Sequence, residues 1–167
     1  MLEASARRKA VDLDVFVRHH NSALISFAFR LLHQEDLAKD CVQNALLRAH
    51  AALRNGASPD NLRAWLYRLT YHAAIDRSRH ASIEKRDRPA HLKPLTPVPK
   101  DLSENLECVI GAVSPELRAI LYLRYAYGFS YEEMESVLGL PASSLRVYAA
   151  RALEKVQRKC ERKSDEM

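Results

Sequence analysis

Arg146, Arg151, Lys155 and Arg158 recur at near-helical spacing in the segment Ala142 to Lys163, which holds seven Lys or Arg against the acids Glu154 and Glu161, a local balance of +5. Cations along the outside of a helix neutralise phosphates, so the chemistry this pattern offers is attraction to nucleic acid. Other reactive side chains are scattered. His19 and His20 are adjacent, but His33, His50, His72, His80 and His91 are spread along the chain, and Cys41, Cys108 and Cys160 are too far apart for a thiolate zinc site or a disulfide scaffold. The chain has no glycine-rich phosphate loop, no HExxH and no G-x-S-x-G, so no catalytic residue, metal site or cofactor is expected. The acidic pairs Glu35-Asp36 and Glu132-Glu133 read as charges at helix starts.

The elements that must carry the basic helix follow from composition and punctuation. A chain of 167 residues, 47% hydrophobic and 28% charged, is apolar enough to fold as one ordinary domain or two small ones and too short for a barrel enzyme. Pro89, Pro94, Pro97 and Pro99 form a cluster between two helical blocks, which reads as a linker. The expected fold is all-α: a helical domain over 1–80, a basic linker over 81–100 and a second helical domain over 101–167. These carry charges of +4, +3 and −2. The second domain is slightly acidic overall, so a DNA-facing surface there needs local focusing and help from elsewhere.

In the first block, Leu13, Phe16, Val17, Leu24, Phe27, Ala28, Leu31 and Leu32 keep a helical apolar stripe, with Asp12 as a candidate cap. A second helix is expected over Glu35 to Leu53, with Leu37, Cys41, Ala45 and Leu46 inward. Asp60 or Asn61 opens a third, whose apolar side is Leu62, Trp65, Leu66, Leu69, Ala73 and Ile75 and which ends near His80. In the second block, Asp101 to Val113 reads as a helix, and Ser114-Pro115-Glu116 starts another that stops near Gly128. Ser130 with Glu133 fits a capping box opening Tyr131 to Leu138, and Gly139-Leu140-Pro141 breaks the chain before the basic helix. Helix, short glycine-containing turn, helix is the outline of a helix-turn-helix.

Three ordered stretches give the chain a family likeness. DCVQNALLRAH (Asp40 to His50), NLRAWLYRLTYHAAIDRSR (Asn61 to Arg79) and SPELRAILYLRYAYGFSYEEMESVLGLP (Ser114 to Pro141) resemble bacterial RNA polymerase sigma factors of the extracytoplasmic-function type, within the sigma-70 superfamily. The resemblance covers nearly the whole chain, in the family's order. It implies that the first domain binds core RNA polymerase and the opened −10 element of promoter DNA, and that the second grips the −35 element.

By that resemblance Asp40, Gln43, Asn44 and Arg48 fall on the polymerase-binding face, with Asn44 in place of the usual glutamate. Arg63, Arg68, Arg77 and Arg79 are placed to approach phosphates, and Tyr67, Tyr71 and His72 to stack on or bond displaced bases, with His72 where asparagine is common. In the reading helix Ser143, Ser144, Arg146, Tyr148, Arg151 and Lys155 are the candidate DNA contacts, joined by exposed amides at the helix start. Tyr148, Ala150 and Leu153 stand where the family carries arginine, histidine and arginine.

The function implied is promoter recognition and transcription initiation, with an anti-sigma factor as a further partner. Two other readings stay open: a sigma-like decoy that binds an anti-sigma factor, and a stand-alone helix-turn-helix regulator. The start MLEASARRKAVDLD lacks a signal-peptide core and no later run is long and apolar enough to span a bilayer, so a cytoplasmic protein without direct membrane insertion is expected. Nothing in the residues sets an oligomeric state.

Overall fold

A computed structural model describes residues 2–84, 110–111 and 113–165. The chain divides into two compact units, Met1–Arg86 and Asp87–Met167, and the described residues of both are helical with no strand. Most of the expected linker, and the helix expected over Asp101 to Val113 apart from Ile110, Gly111 and Val113, lie outside the described residues.

The first unit packs three helices pairwise, α1 (Leu2–Leu32), α2 (Glu35–Arg54) and α3 (Leu62–Glu84). Helix α1 begins ten residues before Asp12, so Asp12 lies inside the helix rather than capping it. The intervening residues contain neither Gly nor Pro and nothing stops the helix there. Leu24, Phe27, Ala28 and Leu31 are buried at helical spacing. The helix closes on His33, whose positive φ of 56° and amide bond to the Phe29 carbonyl (2.7 Å) give it the left-handed capping role that glycine usually takes.

Helix α2 matches its expected span to one residue and buries Ala38, Cys41, Val42, Ala45, Ala49 and Leu53. The Cys41 thiol points at the Ala73 carbonyl of α3 (3.6 Å), and burial pushes its pKa up, which keeps it an inert packing group. The cap of α3 is Asn61, whose Oδ1 accepts the Ala64 amide bond at 3.0 Å.

Helix α3 runs four residues past His80, into the expected linker, because no breaker precedes Pro89. Its buried side is Ala64, Leu66, Tyr67, Thr70, Ala74 and Ile75, whereas Trp65, Leu69 and Ala73 are only half-buried. The buried side is rotated from the expected stripe because Tyr67 turns inward, its ring packing against Phe27 of α1 with centroids 5.2 Å apart.

Thr70 is 0% exposed and its hydroxyl has no hydrogen-bond partner. Thr70→Val keeps the shape and removes a buried group that has lost its water, so it should raise stability by about 1 kcal/mol. Urea denaturation would measure this, and a loss of stability instead would mean that the hydroxyl is satisfied in solution.

In the second unit α4 (Pro115–Leu121) starts as expected, with Ser114 Oγ accepting the Leu117 amide bond and proline in the first turn. Buried Arg118 donates from Nη1 to the Gly111 carbonyl (3.3 Å), and burial holds its pKa below the ordinary arginine value. The helix does not stay α-helical up to Gly128. Tyr122–Ala126 widens into a π-helical turn, closed by the Tyr127 amide on the Tyr122 carbonyl (2.9 Å), and this delivers Phe129 fully into the core.

Helix α5 (Tyr131–Leu138) has both halves of the capping box, with Ser130 Oγ accepting from the Glu133 amide (3.1 Å) and Glu133 Oε2 from the Ser130 amide (2.9 Å). Gly139 ends it at a φ of 70°, a conformation a side chain would strain. Helix α6 (Ala142–Asp165) then packs Leu145, Ala149, Ala152 and Val156 inward against α4 and α5.

Candidate nucleic-acid interface

The buried positions of α6 decide what faces outward. With Leu145, Ala149, Ala152 and Val156 inside, Arg146, Tyr148, Arg151 and Lys155 are exposed on the outer side with Ser143, and Ser144 is partly exposed beside them. Val147, which the sequence reading passed over, is 48% exposed among them. Its signal was present in its phase between Leu145 and Ala149. Arg158 pairs with Glu154 one turn earlier, both side chains remaining largely exposed.

The start of α6 differs from expectation. The amide of Ala142 is taken by the Glu135 carboxylate of α5 at 3.1 Å, so this first amide is not available to a phosphate. Arg146 is also held. Its Nη2 lies 3.2 Å from Glu132, and its guanidinium is 5.3 Å from the Tyr131 ring centroid.

On α2, Asp40, Gln43, Asn44 and Arg48 are all exposed and share one side of the helix. Leu47 sits among them at 61% exposed, an apolar group that the search for polar contacts missed. Beside it a cleft of about 360 Å³ between α1 and α2 is lined by Asn21, Ile25, Val42, Gln43, Leu46 and Leu47. A half-exposed His50 and Asp14 (3.6 Å) connect the two helices at the same level.

On α3 the candidates separate. Arg68, His72 and Arg79 are exposed at i, i+4 and i+11, one face of the helix, with half-buried Tyr71 edge-on to His72 at 5.4 Å. Arg77 is exposed and Arg63 half-buried, but both lie on the other side of the helix from that face. Arg63 lies over the Tyr67 ring at 5.9 Å. Tyr67 is withdrawn from the base-stacking set: it is 1% exposed, and its ring is committed to the core.

Among the described residues no three His, Cys, Asp or Glu come together to hold a metal ion, and no helix is long and apolar enough to cross a membrane.

Residues 16–83 match the family model for Sigma-70 region 2, and residues 103–156 match that for Sigma-70, region 4. The ECF RNA polymerase sigma factor SigE of Mycolicibacterium smegmatis is 29% identical over 143 residues, covering 80% of this chain and 55% of that protein. The RNA polymerase sigma-H factor of Pseudomonas aeruginosa is 26% identical over 172 residues, covering 90% of this chain and 86% of that one. The chain thus spans about half the length of SigE and most of sigma-H.

Among solved structures, the sigma factor RpoE of Bartonella quintana, in complex with the anti-sigma factor NepR, superposes with a TM-score of 0.70 at 22% identity over 88% of this chain and 95% of that one. CnrH, in complex with the cytosolic domain of CnrY, gives 0.70 at 21% over 96% and 94%. At such identities these two show the fold. One regional model falls on each compact unit, in the family's order, and the chain belongs to the sigma-70 family of RNA polymerase sigma factors.

Proposed function

We propose that the chain works as a sigma factor of the extracytoplasmic-function type, directing core RNA polymerase to promoters and opening them, without bond chemistry of its own. The observation that carries this is the match of both sigma-70 regions, each to a separate helical unit. In this reading the α2 face of Asp40, Gln43, Asn44, Leu47 and Arg48 docks on core polymerase in the cytoplasm. The α3 face of Arg68, Tyr71, His72 and Arg79 holds the unwound strand of the −10 element, phosphates to arginine and bases to the rings.

Helix α6 enters the major groove of the −35 element with Ser143, Ser144, Arg146, Val147 and Tyr148 towards the bases, and Arg151 and Lys155 towards phosphates. Val147 and the Tyr148 ring are apolar partners for a thymine methyl, Tyr148 in place of the arginine common in the family. The second unit is acidic overall, so the polymerase must hold it on DNA: alone it binds weakly, and bound to core it binds with a steep salt dependence. An anti-sigma factor that covers these surfaces is the natural inhibitor, as the fold neighbour RpoE is solved with the anti-sigma factor NepR.

Footprinting with reconstituted holoenzyme tests the reading. Protection at an upstream element, with permanganate-reactive thymines near the start site, is expected only when core and this chain are both present. Association with an anti-sigma protein but not with core would favour the decoy, and duplex protection without core would favour the stand-alone regulator.

A further inference from the structure

Three carboxylates lie along α5 where it faces the start of α6, and two have local tasks. Glu133 closes the capping box of its own helix, and Glu135 holds the first amide of α6. Glu132 does neither. It reaches across the turn to Arg146, fourteen residues on, while the ring beside it, Tyr131, lies within cation-π distance of two guanidiniums, Arg146 at 5.3 Å and Arg124 at 4.7 Å.

The second of these guanidiniums is itself anchored, since Arg124 donates to the Phe129 carbonyl at 3.0 Å. The Glu132 and Arg146 side chains are 69% and 57% exposed, so their pairing adds little to stability. What it changes is where the guanidinium points before DNA arrives.

We propose that Glu132 and Tyr131 are positioning residues for Arg146 and make it a reader of one base pair rather than a phosphate clamp. The inference rests on the promoter-recognition reading above. An arginine reads a base when its planar fork meets two acceptors at once in the plane of that base, a contact that discriminates by about tenfold or more, whereas a phosphate's charged oxygens accept the fork from many more directions. A loose guanidinium on a reading helix falls to the nearest backbone oxygen. Held between a ring and a carboxylate, it has fewer orientations to lose, and the Glu132 charge repels the backbone that would otherwise capture it.

The test uses holoenzyme made with core RNA polymerase and a pool of duplexes randomised through the upstream element. Wild-type holoenzyme should enrich a defined element, and Arg146→Ala should flatten the preference at one base pair. Glu132→Ala and Tyr131→Leu should flatten that same base pair about tenfold, leave the other positions sharp and leave the chain folded at the assay temperature, the helix-start charge and the ring contacts costing about 1 kcal/mol or less each. Glu132→Ala should also bind scrambled duplex more tightly, with the salt slope steeper by about one. The double variant Glu132→Ala/Arg146→Ala should select like Arg146→Ala alone, a coupling that a merely structural role would not produce.

A wild-type profile from Glu132→Ala, or an even loss across all positions, overturns the inference while leaving promoter recognition intact. A wild-type preference that survives Arg146→Ala overturns it as well. Wild-type holoenzyme that enriches nothing overturns the promoter-recognition reading and this inference with it.

Discussion

Leu47→Asp should lower affinity for core RNA polymerase by about a hundredfold without changing the stability of the chain. The leucine is 61% exposed on α2, so its loss leaves no cavity. On an interface the same exposure makes it an anchor. Apolar side chains at the centre of a polar contact set, here Asp40, Gln43, Asn44 and Arg48, are where binding energy concentrates, and a central anchor is worth about 2 kcal/mol or more. Aspartate adds the desolvation of a charge to that loss. Fluorescence anisotropy of the labelled chain titrated with core polymerase would measure it, alongside thermal melting as the control. Unchanged affinity with unchanged melting would place the polymerase contact on another face.

The second large effect separates two tyrosines four residues apart. Tyr67→Ala should cost about 3–5 kcal/mol, because an almost fully buried aromatic is removed from a small core and its neighbour Phe27 loses its packing partner. A three-helix unit has little stability beyond that, so promoter opening and polymerase binding should both fail as the unit unfolds. Tyr71→Ala should leave denaturation within about 1 kcal/mol of wild type, since a half-buried ring at the rim leaves a gap that water fills. It should still bind core but reduce open-complex formation about tenfold, the value of one lost base-stacking platform. Normal opening by Tyr71→Ala would remove the α3 face from strand capture.

What the sequence disclosed was local. The cap of α5 is contained in Ser130 and Glu133, and its end in Gly139, so periodicity and capping chemistry placed Tyr131–Leu138 to the residue. Helix α2 was legible for the same reason, between its acidic first turn and the Gly56 break. The errors came where tertiary packing decides. The early start of α1 has no stop signal to contradict it, and the rotation of α3 depends on Tyr67 meeting Phe27 across the unit. The π-helical turn depends on Phe129 reaching its pocket.

The candidate site divides in the same way. The outward cations of α6 follow from phase alone, but Leu47 and Val147 are exposed apolar groups, which a reading built on polar and charged contacts does not single out. The acidic balance of the second unit calls for local focusing if α6 is to face DNA, and Glu133 and Glu135 are engaged at helix ends and Glu132 on Arg146. Those three carboxylates are held at helix ends and on Arg146, while Arg151 and Lys155 stand exposed on the outer side of α6.

The central claim is that this chain turns core polymerase into a promoter-specific enzyme, and run-off transcription tests it most directly. The template is the DNA immediately upstream of the chain's own coding sequence, since factors of this kind often control their own expression, with purified core polymerase present throughout. The account predicts a discrete transcript that requires the wild-type chain and is lost with Leu47→Asp. A chain that neither supports a transcript nor associates with core polymerase would contradict it.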